Sequence, residues 1–75
     1  MIKEAADQEV YAYQKIGGQK TWEKYDDQNV FYSITWDRGR VDPFTWIKMD
    51  AQNRVIGSGR EKNFRAAAIK AAAAR

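Results

Sequence analysis

The last sixteen residues of the chain hold Arg60, Lys62, Arg65, Lys70 and Arg75 against the single carboxylate of Glu61. That balance of +4 exceeds the +3 carried by the whole chain. The cations open with Gly57-Ser58-Gly59-Arg60-Glu61-Lys62-Asn63-Phe64-Arg65, which reads as a glycine-rich turn feeding a helix whose first turn is basic. Cations at a helix N-terminus oppose the macrodipole, so a sequence chosen for stability alone would put acids there. Unpaired backbone N–H groups, the positive dipole end and Lys/Arg side chains together suit one ligand chemistry, phosphate. The competing reading is a solvated charged face.

Other chemistries lack their residues. The chain has no cysteine and no histidine, so thiolate and imidazole ligands, disulfides and an imidazole base are all excluded. Gly57-x-Gly59 lacks the third glycine and the βαβ setting of a dinucleotide fingerprint, and no Walker motif is present. Asp26-Asp27 falls in a polar stretch and reads as a solvated loop. No catalytic residue, cofactor or metal is expected, and the chain is read as a non-enzyme. It contains no long apolar run for a membrane span and no secretory leader pattern.

At 75 residues the chain has room for one domain and one small core. Its 44% apolar content, with three Trp, four Tyr and three Phe, is enough for a globular fold. Ile2, Ala6, Val10, Tyr13 and Ile16 recur at helical spacing, and Gly17-Gly18 follow where a helix would be capped, which predicts a first helix. A strand over residues 10–16 is the competing assignment. Residues 19–28 read as a polar connector. Alternation predicts strands over residues 29–36, 44–50 and 54–58, the last broken by Gly57-Ser58-Gly59. From residue 62 onward Phe64, Ala67, Ala68, Ala71 and Ala72 line one helical face, with Ile69 nearer the charged side. The predicted class is α+β, in the order α-β-β-β-α, with a three-stranded antiparallel sheet and both helices packed on one face.

The tail from Val55 through Arg65 to Ala66-Ala67-Ala68 resembles the end of a double-stranded-RNA-binding domain, where a G-x-G turn leads into S-K-K-x-A-K-x-x-A-A. It is similar above all to the module of fungal ribonuclease III and budding-yeast Dicer, through Ala67-Ala68-Ile69-Lys70-Ala71-Ala72 and through Glu9-Val10-Tyr11-Ala12-Tyr13 with Ile16-Gly17. The family's G-P-x-H loop has no counterpart beyond Pro43. The resemblance implies shape recognition of duplex RNA over roughly 16 bp. It implies that Gln8, Tyr11, Gln14 and Lys15 of the first helix touch one minor groove and that Arg38 and Arg40 reach the next. Arg60, Lys62, Asn63 and Arg65 would bridge phosphates between them. It further implies an intracellular protein, nuclear or cytoplasmic, that is the RNA-binding module of a ribonuclease III-like processing enzyme, with homodimerisation through that parent. Two alternatives stand beside it. One is a single-strand or DNA binder that stacks bases on Trp36, Trp46 or Tyr32. The other is a protein-interaction module.

Overall fold

The computed structural model describes residues 10–74. Five strands run β1 (Ala12–Ile16), β2 (Gln19–Tyr25), β3 (Phe31–Asp37), β4 (Phe44–Met49) and β5 (Val55–Glu61), followed by one helix, α1 (Phe64–Ala73). Each strand pairs antiparallel with the next, so the sheet order equals the chain order. The helix packs across one face, over β3, β4 and β5.

The architecture is therefore not the predicted α-β-β-β-α. The described residues form a five-stranded meander with a single C-terminal helix. Residues 12–16, assigned to a first helix, are an edge strand, and the supposed connector is β2. Among the described residues the helical stripe buries nothing: Val10, Tyr13 and Ile16 are all exposed. Gly17-Gly18 is a hairpin turn instead of a helix cap. Gly17 takes φ +58°, which a two-residue reverse turn requires and glycine adopts at little cost. Residues 2–9 of the proposed helix lie outside the described residues.

Two further turns share one design. Asp26-Asp27-Gln28-Asn29 and Asp50-Ala51-Gln52-Asn53 each place Asn in the left-handed region, at φ 62° and 64°. Each leading Asp accepts two backbone N–H bonds on Oδ1, from Gln28 and Val30 at 2.8 and 3.0 Å and from Gln52 and Arg54 at 2.9 Å. Short polar side chains that tolerate positive φ and bond their own backbone make such turns locally self-sufficient.

The core lies between the helix and the facing side of the sheet. It is built from Tyr11, Trp22, Tyr32, Ile34, Trp46, Phe64, Ala67 and Ala71. Phe64 is fully buried and meets Tyr11, Trp22 and Phe44 edge-on, with ring centroids 5.3, 5.1 and 6.4 Å apart. Burying such a ring is worth about 1.5–3 kcal/mol. The alanine face is as predicted at Phe64, Ala67 and Ala71, whereas Ala72 is exposed. Ile69 is exposed too, in keeping with its place on the charged side.

Gly57 and Gly59 do not form a turn. They sit inside β5, beneath the indole of Trp46. A Cβ on Gly57 would meet Ala74 Cβ at 2.9 Å and Trp46 Cζ3 at 3.0 Å. These two glycines let a large ring and the end of the helix lie directly on the edge strand.

Candidate nucleic-acid interface

Strand pairing decides which cations meet. β1 and β3 end, and β2 and β4 begin, at the same end of the sheet, where β5 also finishes and α1 starts. Lys15 pairs with Lys20 across the first hairpin. Arg38 and Arg40 occupy the β3–β4 loop, Arg60 lies in β5 opposite Thr45, Lys62 lies in the link to the helix, and Arg65 is in the first helical turn. Seven cations thus share this end with the carboxylates of Asp37, Asp42 and Glu61. Asp37 is itself engaged, accepting a 2.7 Å bond from Gln19 Nε2. At about 4.8 Å per strand, the rim is about 19 Å wide.

Seven of the residues singled out from sequence come together here: Lys15, Arg38, Arg40, Arg60, Lys62, Asn63 and Arg65. Asn63 does a structural job as the N-cap, accepting the Ala66 N–H at 2.8 Å. No acid occupies the first turn of α1. Gln14 and Lys15 belong to β1 and point to opposite faces, so they do not form the helical patch expected of them. Tyr11 is buried against Phe64. Gln8 lies outside the described residues.

The faces of the sheet differ sharply. Trp22, Ile34, Trp46, Tyr32 and Lys48 lie under or beside the helix. On that side Lys20 caps the Trp36 ring at 5.0 Å, and Lys24 sits 5.0 and 4.9 Å from the rings of Tyr11 and Tyr32. Trp36, Trp46 and Tyr32, the proposed base-stacking aromatics, are therefore all on the covered side. Among the described residues, the opposite face carries no helix. Across all five strands it presents the row Gln14, Thr21, Thr35, Thr45 and Arg60. Beyond it come Glu23, Ser33, Ile47 and Ser58, and then the apolar Tyr25, Phe31 and Met49. Tyr25 and Phe31 pack with centroids 5.1 Å apart, beside an open cleft of about 390 Å³ lined by Val10, Ala12, Glu23 and Lys24 as well.

Sequence reasoning missed Lys20 and this hydroxyl-bearing row. A signal was present in the alternation of Lys20, Trp22 and Lys24 with Gln19, Thr21, Glu23 and Tyr25, but it is legible only if lysine stems are counted as face-covering apolar groups.

Asp26 is held below the ordinary carboxylate range, first by the Val30 N–H bond, with further help from Gln28, Tyr32 and the charge of Lys24. Burial raises the Tyr32 phenol, and the adjacent Asp26, which accepts its O–H at 3.2 Å, raises it further. Both lie at the other end of the sheet from the cationic rim, Asp26 in the turn and Tyr32 at the start of β3. Among the described residues no three His, Cys, Asp or Glu side chains gather as a metal site, and no helix is long and apolar enough to cross a membrane.

No protein-family profile, curated protein or solved structure matches the chain. The likeness to double-stranded-RNA-binding domains rests on its motif residues alone, and the architecture it implied is not the one found.

Proposed function

We propose that this domain binds double-stranded nucleic acid, with duplex RNA as its polymer, by gripping the phosphate backbone at the cationic end of the sheet. The reading is carried by one observation: strand register gathers Lys15, Lys20, Arg38, Arg40, Arg60, Lys62 and Arg65 from separate segments onto one rim. Charges scattered for solubility have no reason to converge in this way, and a concentrated cationic edge steers polyanions towards it. A rim about 19 Å wide is broad enough to meet phosphates on both sides of the narrow major groove of an A-form duplex. Binding is phosphate-dominated and carries little base sequence information. The domain acts as a binding module, and any cleavage of RNA belongs to a partner or to another part of its protein.

The test is a fluorescence-anisotropy titration with an RNA duplex of about 20 bp, longer than the roughly 16 bp that a double-stranded-RNA-binding domain covers, the same sequence as DNA duplex, and the single strands. Duplex RNA should bind most tightly, and log affinity should fall linearly with log salt concentration. Combining Arg38→Ala, Arg40→Ala and Lys62→Ala should weaken binding and reduce the salt slope by about one unit for each phosphate that is no longer neutralised. A triple variant that remains folded and keeps the wild-type slope would overturn the reading.

A further inference from the structure

We infer that the duplex meets the helix side of the sheet, on the shelf that β1 and β2 form beside α1, with Lys15 and Lys20 gripping the phosphates of one strand. This rests on the duplex-binding reading above. Strand register sorts the charges by face. The helix side of the sheet receives Lys15, Lys20, Lys24 and Lys48 against Glu61, whereas the other side receives Arg60 against Glu23 and Asp37. The helix adds Arg65 and Lys70 to the first side, and no acid. A polyanion is therefore favoured there and disfavoured on the opposite face.

Two of these lysines are already engaged. Lys48 is buried and bonded to the Ala74 carbonyl, and Lys24 lies near enough to Asp26 for its charge to help lower that carboxyl. Lys15 and Lys20 differ. They stand directly opposite each other across the first hairpin, where Cβ atoms are about 4.5–5.5 Å apart and like charges destabilise the pairing. Among the described residues neither has a carboxylate partner. Glu61, level with them on this side, is three strands from Lys20, about 14 Å away and beyond the roughly 8 Å screening length at physiological salt. A local rule of strand pairing is thus broken without compensation inside the described fold, and an anion between the two ammoniums supplies it.

The shelf suits a single sugar–phosphate backbone. The helix lies over β3, β4 and β5, and Phe64 reaches Trp22 of β2, while Tyr13 and Lys15 of β1 stay exposed. The flank of the helix is the wall, and two strands make a floor about 10 Å wide. Lys20 is aimed over this floor. Its ammonium sits 5.0 Å from the centre of the Trp36 ring, while Asp37, its neighbour across the pairing, turns to the other face to accept from Gln19. Lys15 and Lys20 also belong to the cationic rim, so a strand held on the shelf passes directly to the rim.

Amine acylation of the wild-type protein, read by mass spectrometry with and without the RNA duplex, tests the site without any variant. Lys15 and Lys20 should react several-fold more slowly in the complex. Unchanged reactivity of both would overturn the inference, as would equal protection by poly-glutamate, since the pair would then suit an acidic protein. Lys15→Glu and Glu23→Lys next reverse one charge on each face of the same hairpin. Lys15→Glu puts opposite charges across the pairing, which favours the fold, and should lower RNA affinity roughly tenfold or more. Glu23→Lys, on the far side of the sheet, should change it by less than about threefold. A gain from Glu23→Lys larger than the loss from Lys15→Glu would place the polymer on the other face. If Arg38→Ala/Arg40→Ala/Lys62→Ala is weakened while Lys15→Glu binds like wild type, the inference falls and the phosphate reading stands. A wild type that binds no duplex would sink that reading and this inference with it.

Discussion

The indole of Trp46 lies across Gly59 so closely that a Cβ there would stand 2.8 Å from Nε1. Trp46 Nε1 is buried and has no acceptor among the described residues, so the two residues meet through packing and not through a hydrogen bond. One of the core's two buried tryptophans, on β4, thus depends on the absence of a side chain on β5. Gly59→Ala should force the ring or the edge strand to move and destabilise the fold by about 1–3 kcal/mol. Gly18→Ala is the control, because nothing lies within 4 Å of that position. Thermal or urea melts of the two variants should separate clearly.

Phe64 joins the helix to the rings of Tyr11, Trp22 and Phe44 at once, and it has no exposed surface. Phe64→Ala should cost about 3–5 kcal/mol through reduced burial and a residual cavity. Ala71→Leu, at the other fully buried end of the same face, should overpack the helix against the sheet by about 1–3 kcal/mol. Ala72→Leu should be close to neutral, because Ala72 faces solvent. Denaturant midpoints for the three variants check this ordering.

Asp26 titrates in favour of the fold. Its carboxyl is lowered below its ordinary value of 3.8 in the folded state, chiefly by the Val30 N–H. Its contribution is therefore complete above that value and disappears as pH falls through the depressed folded value. Asp26→Asn cannot ionise. The stability gap between wild type and variant should be widest near neutrality and close as the pH drops below 3.8, as measured by urea midpoints across an acid pH series.

Lys48 is 7% exposed, yet its ammonium donates to the Ala74 carbonyl at 2.7 Å and lies 5.1 Å from the Tyr32 ring. It caps the helix C-terminus from the sheet, where the carbonyls lack intrahelical partners. Lys48→Met keeps the stem but removes this bond, and should cost about 0.5–1.5 kcal/mol. Hydrogen exchange should quicken in the last turn of α1, around Ala71 and Ala74, more than in β3.

Residue types alone settled what this chain lacks, since no histidine or cysteine means no imidazole or thiolate chemistry anywhere in the fold. They also located β3 and β4 to within a residue or two, the start of β5, and the helix with its Phe64–Ala67–Ala71 face, because each of these buries a regular set of apolar side chains. The first hairpin was decided only by tertiary packing. Tyr13 gains its partner from Trp22 across the β1–β2 pairing, at 5.2 Å, and Lys20 and Lys24 cover aromatic rings of β3 that a local window does not see. The glycines of β5 gave the same difficulty: their turn-like pair is explained by an indole supplied from β4. The cationic tail was visible as a sum, whereas its merger with Lys15, Lys20, Arg38 and Arg40 into one rim required the strand register. Periodicity reports whether a segment has two faces, but which face meets the helix and which stays open is set by pairings between residues distant in the chain.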